Sequence, residues 1–566
     1  MSGSIMEEKP WFKHYPTHTP KTIDYDKEIN GRSIAEMFQS SVQRSPDAPY
    51  LYFTSLKWSY EQVWDQVVVV ATALKELGVS SEDVIAINLP NTVQYVVTLF
   101  AAFYLGCKTT LLNPLHVAAE YLFQLNDTEA TVLVCADFLY DTLYPVKSDT
   151  SLKVVVTTSV GDVLGKVKKF MGVKLGKIPK GTVKDPSAVT WGDLLKIGKG
   201  GEPPEIAKVD IAKTAVILYT GGTTGVPKGA ELSHRNIIAN VIQGQAWLNL
   251  SDKDIIMGVM PFFHSYGLVL QFLYATYFGG GLVVIPNPRD IKHILEQVQS
   301  IKASVFMGVP TLYIGILGAP EFTSYDLTSL KYCLSGAAPL PVELEQRWMA
   351  EGTEKRGLLL KGLGMTECSP LITASPMHDI RTGATGVPLP DTLLRTVDAE
   401  TGEMLPLGSS GELVVQGPQV MKGYHNRPDE TNLALKPIKG QPGLWMHTGD
   451  IGTVDEEGYL YLMDRKKDMI IVSGYKVFPS EVEGILQEHP AVKLSAVIGV
   501  VDERTTERVR AYVVVEDDQS VTQEELIAFC KERMAKYKVP REVEFRKELP
   551  TSMVGKVLRR ELRESD

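Results

Sequence analysis

From Trp58 onward the chain alternates between two hydrophobic rhythms. Tyr60–Leu77 has the apolar spacing of an amphipathic helix and is closed by Gly78, whereas Val84–Leu89 is a continuous apolar run of strand length. Thr92–Leu105 reads as a second helix, Ala118–Leu125 as a third, and Thr131–Val134 as the strand that follows it. Strands separated by helices in this way predict a layered α/β architecture with largely parallel sheets. Residues 1–45 carry neither rhythm and read as an irregular lead-in. Ala215–Tyr219 is a strand that runs straight into a Gly/Thr-rich loop. Further on, the strand-like runs Tyr459–Met463 and Met469–Val472 flank a dense charge cluster, DRKKD, at 464–468. After it come short strands at Leu494–Val501 and Val509–Val515 and a helix at Gln523–Tyr537, the pattern of a small α+β domain. The boundary falls near Lys467, dividing the chain into 1–466 and 467–566.

Two apolar stretches invite a membrane reading. Tyr95–Leu105 is too short to span a bilayer, and Gly279, Gly280 and Gly281 break Leu268–Ile285 into a helix and a β-branched strand. The N-terminus is polar and mixed in charge, with no secretory pattern. At 566 residues the chain exceeds what one core supports. Its net charge of −10 argues against nucleic-acid binding, which depends on Lys and Arg neutralising phosphates. The five cysteines (Cys107, Cys135, Cys333, Cys368, Cys530) are scattered, which excludes a disulfide framework and a CxxC zinc site and fits a reducing, cytoplasmic compartment. One segment runs against the overall acidity: residues 161–200 hold nine lysines and three aspartates. They read either as a solvated basic insertion or as a peripheral membrane patch for anionic lipid head groups, with Val167, Phe170 and Met171 entering the interface.

The candidate chemistry starts at Tyr219–Gly229, YTGGTTGVPKG. Its four glycines let backbone N–H groups approach phosphate oxygens, its three threonines add hydroxyl donors, and Lys228 adds a point charge. The residue order is not that of the Walker loop. By composition alone such a loop is also open to being a plain hairpin turn, the lesser of the two readings.

The longer string YTGGTTGVPKGAELSHRN resembles the phosphate loop of the adenylate-forming superfamily, which holds acyl-CoA synthetases, aryl-CoA ligases, luciferase and peptide-synthetase adenylation domains. The resemblance continues in order to the C-terminus. It implies a large N-terminal adenylation domain of layered α/β subdomains with a β-barrel-like part, plus a small mobile C-terminal α+β domain. The phosphates would lie against Thr220, Gly221, Gly222, Thr223, Thr224, Gly225 and Lys228. PFFHSYG (261–267) would place His264 between acid and nucleotide. Ser265 stands where amino-acid-activating relatives carry an aspartate, which argues against an amino-acid substrate. SGAAPLP (335–341) would set Ala337 and Ala338 against adenine. In KGLGMTECSP (361–370), Gly362, Leu363 and Gly364 would line the nucleotide, Thr366 would bind the α-phosphate, and Glu367 with Thr223 would hold Mg²⁺. Leu363 replaces the usual tyrosine.

TGD (448–450) resembles the ribose motif, with Asp450 and Arg465 on the ribose. Lys467 matches the hinge position, and Ser473, Gly474 and Tyr475 in VSGYKVFPSEVE would line the pantetheine tunnel. PTSMVGKVLRREL (550–562) resembles the C-terminal motif whose lysine, here Lys556, bridges carboxylate and α-phosphate. Thr506 stands where the family commonly has glycine. Gly221 in place of serine, with the basic insertion, resembles medium- to long-chain fatty acyl-CoA synthetases, with His264, Tyr266 and Gly336 as acid-pocket candidates. The implied reaction consumes a fatty acid, ATP and CoA with Mg²⁺. Aryl-CoA ligation and a luciferase-type oxygenase remain as alternatives, and a homodimer is left open.

Overall fold

The computed structural model describes residues 9–220, 226–350, 353–465, 467–473, 475–502, 504–516, 518–552 and 556–564. Two large sheets form the layered part. One has seven strands in the order Leu358–Lys361, Tyr332–Ser335, Val305–Gly308, Ile255–Gly258, Gly281–Val284, Pro49–Phe53 and Leu56–Ser59, parallel except for the last hairpin. The other has eight, ordered Gly423–Tyr424, Lys228–Ser233, Thr214–Thr220, Lys108–Leu111, Val84–Asn88, Val132–Ala136, Val154–Thr158 and Val189–Thr190. It is parallel from Thr214–Thr220 outward and antiparallel at the two strands nearest the Gly/Thr loop.

The helices found at Tyr60–Glu76, Val93–Tyr104 and Ala118–Asp127 agree with the apolar pattern. Every residue of Val93–Tyr104 is buried, because Phe100 stacks on Phe38 at 4.2 Å and meets Phe272 edge-on at 5.2 Å. Its all-round hydrophobicity is that of a core helix. Gly279 takes φ +86° and ends the helix Tyr274–Phe278, so the second apolar stretch is broken where the glycines predict. None of the described helices is long and apolar enough to cross a membrane.

The lead-in is not irregular. It forms helices at Tyr25–Ile29 and Ile34–Arg44, the latter started by a capping box in which Ser33 and Glu36 satisfy one another's backbone donors. The preceding turn ties the chain down through buried Trp11, the Tyr15 hydroxyl donating to the Pro388 carbonyl, and Lys13 on Glu457. Its anchors are single side chains a few hundred residues distant, which leave no local rhythm in the sequence.

The part expected to be barrel-like is a five-stranded antiparallel sheet, Leu393–Val397, Ser410–Gln416 and Leu444–Val454 in order, with Leu435–Pro437 and Leu460–Arg465 both on Leu444–Val454. The small domain has its own sheet, with long strands Val492–Asp502 and Thr506–Val515 paired antiparallel. One face packs helices Pro479–Gln487 and Gln523–Arg533 over a core containing Val482, Leu486, Val497, Val513 and Leu526. The other face buries Ile498 and Tyr512 beneath Leu549 and Leu562, which brackets the segment carrying Lys556. The main core runs through Leu460, and the small-domain core starts at Ile470.

Candidate active site

The Gly/Thr loop joins two antiparallel strands whose last pairs are Tyr219 with Gly229 and Thr220 with Lys228. A side chain at Gly229 would strike Ile217 and the Tyr219 ring, so glycine is needed for the strands to close. Tyr219 is anchored outward, its hydroxyl donating to Asp127 at 2.5 Å. Gly221, Gly222, Thr223, Thr224 and Gly225 lie outside the described residues, as does Gly474. Lys228 reaches over the ring of Tyr424, 5.5 Å from its centroid. The Tyr424 hydroxyl donates to Glu367 Oε1 at 2.8 Å. One tyrosine thus links the loop lysine to the carboxylate expected to bind the metal.

His264 follows the strand Ile255–Gly258 on a turn held by two buried amides. Asn91 donates to the carbonyls of Gly258 and Met260 and accepts from Phe262 N–H, and Gln271 accepts from Met260 N–H while donating to the Met307 carbonyl. Gly267 is forced, since a Cβ there would lie 2.3 Å from the Pro261 carbonyl oxygen. Burial, with a smaller push from the Lys556 ammonium, lowers the His264 pKa to about 4. The ring is therefore neutral at pH 7. Tyr266 N–H donates to its Nδ1 at 3.3 Å, which leaves the proton on Nε2.

Ser265 and Thr366 hydroxyls are 3.3 Å apart, joining the His264 turn to the KGLGMTECSP segment. That segment follows the strand Leu358–Lys361. A Cβ at Gly362 would sit 2.7 Å from the Thr373 carbonyl oxygen, and one at Gly364 would sit 2.8 Å from that of Pro370. Thr373 Oγ1 accepts from Leu363 N–H. The neighbouring Ala337 turn takes φ +65°, and Ala338 beside it is half-buried. Gly336 faces the Tyr266 ring, whose hydroxyl hydrogen-bonds the carbonyls of Gly308 and Leu334.

Asp450 and Arg465 are cross-strand partners, and Arg465 Nε lies 3.1 Å from Asp450 Oδ1. Asp450 is buried, which raises its pKa despite Arg465. Lys556 comes from the small domain, where Ser552 N–H donates to the Lys556 carbonyl and Lys556 N–H donates to Ser552 Oγ. Burial and the nearby Arg465, set against Asp450, lower its pKa to about 8. Behind it, Arg559 binds Glu483, Asp464 and Asp468. The structure thus gathers Lys228, His264, Thr366, Glu367, Asp450, Arg465 and Lys556 around one junction. It does not bring Ser473 and Tyr475 there. Both are exposed on the small domain, and Tyr475 stacks on Tyr537 at 4.7 Å. Lys467 lies exposed in the turn between the domains.

The motifs did not reveal Asn91, Gln271 or Tyr424, and Arg559, although inside PTSMVGKVLRREL, carries no role there. Buried polar side chains are ordinarily hydrogen-bonded somewhere, so an Asn or Gln inside an apolar run is the one available signal, and it does not name the partner.

Residues 38–425 match the sequence profile of the family described as AMP-binding enzyme, and residues 481–556 match its C-terminal domain. The chain is 36% identical over 567 residues to a long-chain-fatty-acid–CoA ligase of Escherichia coli O157:H7, covering 98% of each chain. It is 36% identical to the enzyme of that name in Bacillus subtilis (strain 168), covering 99% of each. A probable 4-coumarate–CoA ligase 1 of Dictyostelium discoideum is 32% identical, over 95% of this chain and 96% of that one. Among solved structures, the anthranilate CoA ligase AuaEII with anthranoyl-AMP superposes with TM-score 0.82 at 25% identity, over 94% and 97% of the two chains. ATP-bound MatB of Rhodopseudomonas palustris superposes at 0.81 and 27% identity, and its apo form at 0.71 and 28%, each over 94% of this chain and 98% of that one.

Proposed function

Because the chain belongs to the AMP-binding enzyme family, we propose that it is an ATP- and CoA-dependent ligase for long-chain fatty acids, working through an acyl-adenylate. The observation that carries this reading is Lys556 of the small domain lying within electrostatic reach of His264, Asp450 and Arg465 of the main domain.

In the first step a carboxylate oxygen attacks the α-phosphorus of ATP and pyrophosphate leaves. Lys228 and the loop donors hold the phosphates, Thr366 donates to the α-phosphate, and Asp450 accepts from the ribose. Lys556, cationic at neutral pH, bridges the carboxylate and the α-phosphate as charge builds between them. Neutral His264 adds no charge beside the acid. The donor set also fits a magnesium ion. Glu367 is a buried carboxylate with one oxygen on Tyr424 and no hydrogen bond to the other among the described residues. One carboxylate plus substrate phosphates is how Mg²⁺ is ordinarily held, and Thr223 would complete the set. The ion would neutralise phosphate charge.

In the second step the small domain turns about Lys467, with the boundary between 1–466 and 467–566, and Lys556 withdraws. Ser473, Gly474 and Tyr475 then face the site and guide pantetheine. The CoA thiolate attacks the acyl carbonyl carbon, AMP leaves with the bonding pair, and the thiol proton passes to solvent. All five cysteines are buried and free, in keeping with a cytoplasmic enzyme.

An aryl-acid reading is favoured by the coumarate- and anthranilate-type similarities. A panel of straight-chain acids from acetate to stearate, with benzoate and coumarate, assayed for pyrophosphate release with and without CoA, separates the two. Long-chain acids should give the highest kcat/KM. Preference for an aromatic acid would overturn the substrate, and no release with any acid would overturn the ligase reading.

A further inference from the structure

The basic insertion contains a helix turned the wrong way out. In Lys166–Lys174 apolar side chains recur at 167, 170 and 171, with Leu175 at the cap, the spacing of a single helical face, while Val173 is half-buried. In a helix of a folded domain that stripe normally packs inward. Here Val167 is 74% exposed, Phe170 69%, Met171 53% and Leu175 66%.

The opposite face is docked. A Cβ at Gly172 would lie 2.5 Å from Ile178, which is itself buried, Lys169 pairs with Asp162 at 2.5 Å, and Lys168 donates to Ser55. Downstream, Gly181 lies against the backbone of Asp137, and buried Asp185 accepts from Tyr140 and Lys147. The segment is therefore packed at several points, and the apolar stripe is presented from a fixed platform. The reading of the whole insertion as solvated is corrected to that extent.

Charge identifies the occupant. Residues 166–184 hold seven lysines and no acidic residue, in a chain of net charge −10. Lys166, Lys174, Lys177, Lys180 and Lys184 are exposed and have no carboxylate partner among the described residues. An exposed apolar helical face, on a segment rich in exposed cations, fits the boundary between anionic head groups and acyl chains, where side chains are buried to shallow depth and lysines remain with the phosphates.

We propose that this helix docks the protein reversibly on anionic lipid surfaces, with Val167, Phe170, Met171 and Leu175 inserted and the five lysines at the head groups. The inference rests on the insertion alone and not on the assigned reaction.

Flotation of the full chain with vesicles tests it, using phosphatidylcholine alone against an equal mixture with phosphatidylglycerol. Binding is expected to the mixed vesicles, and it should weaken as salt is raised because the Debye length shrinks. V167S/F170S/L175S should lower partitioning by roughly tenfold or more. K174Q/K177Q/K180Q should lower it about fivefold per lysine. Val501→Ser, an exposed apolar side chain elsewhere, should have no effect. Because the altered side chains are exposed, thermal midpoints and pyrophosphate release with a short soluble acid should match the unaltered protein. Three outcomes would overturn the proposal: no binding to mixed vesicles at low salt, equal binding by the serine triple variant, or a lipid-free dimer that the serine variant dissociates. The last would assign the face to a second copy of this chain.

Discussion

Raising the pH should extinguish adenylation before thioester formation, because the two steps make opposite demands on ionisation. Lys556 sits among Asp450, Arg465, Arg559 and Asp468, and burial followed by repulsion from Arg465 lowers its pKa to about 8. A lysine depressed in this way is cationic below that value and neutral above it, so a step that uses its charge is lost as pH rises through about 8. The charged fraction falls from about three quarters near pH 7.5 to about one tenth near pH 9, roughly eightfold. The quantity to follow is kcat/KM for ATP in ATP–pyrophosphate exchange, since it reports ionisations of the free enzyme, before the triphosphate can pull the lysine's pKa back up. The second step, started from supplied acyl-adenylate and CoA, should instead rise over this interval as the thiol, with an ordinary pKa of about 8.5, ionises. Lys556→Ala removes one preorganised charge from the transition state. It should therefore slow exchange by roughly 10²- to 10³-fold, with a residual rate that no longer depends on pH near about 8. Supplied acyl-adenylate should still be converted. Exchange that stays level to about pH 10, or an alanine variant that keeps the alkaline limb, would refute this role for Lys556.

Tyr424→Phe removes the hydroxyl that donates to Glu367 while keeping the ring under Lys228, and should raise KM for MgATP by roughly tenfold; an unchanged KM titrated against magnesium would show that Glu367 is positioned otherwise. Thr506 holds φ +69°, a conformation costly for a β-branched residue, so Thr506→Gly should stabilise the small domain by about 1 kcal/mol in urea unfolding. A fall in midpoint would contradict that. Arg559→Ala strips a cation from three carboxylates, Asp464, Asp468 and Glu483, and should cost about 3 kcal/mol. Exchange should fall further than thioester formation from supplied adenylate, and equal losses would mean that Arg559 only supports the fold.

The layered architecture was legible because its strands and helices each carry a local period. The junction residues were legible for a different reason. Lys228, His264, Glu367, Asp450 and Lys556 sit in strings whose order resembles a family, although no spacing places Lys556 beside Asp450. What stayed hidden was the support. Tyr424 reaches Glu367 across 57 positions and Asn91 reaches Phe262 across 171, contacts to which a local pattern gives no weight. The N-terminal helices were missed although Ser33 and Glu36 stand three apart, the spacing of a capping box, because the residues between anchors show no long apolar period. Thr506 was the reverse case. The departure from glycine put the local turn in doubt, yet the chain takes the left-handed conformation there with threonine in place.

The Arg559 cluster also explains how a domain turn avoids stranding a buried charge. Asp464 precedes Lys467 in the chain, while Asp468 and Glu483 follow it. Of the Arg559 contacts among the described residues, the one to Asp464 crosses the proposed hinge, and Ser480 also crosses it, donating to Asp464 Oδ2 and to the Met463 carbonyl. A rotation about Lys467 parts those groups but carries Arg559, Asp468 and Glu483 along as one body, with the bidentate pair to Glu483 intact at 2.8 and 2.9 Å. Removing one partner of a buried ion pair ordinarily costs several kcal/mol, which is enough to lock a domain. Here the arginine keeps its strongest partner in either orientation. Among the described residues, the contacts of this cluster that such a turn breaks are one ion pair and two hydrogen bonds, and Asp464 keeps the Arg465 N–H that donates to its Oδ1.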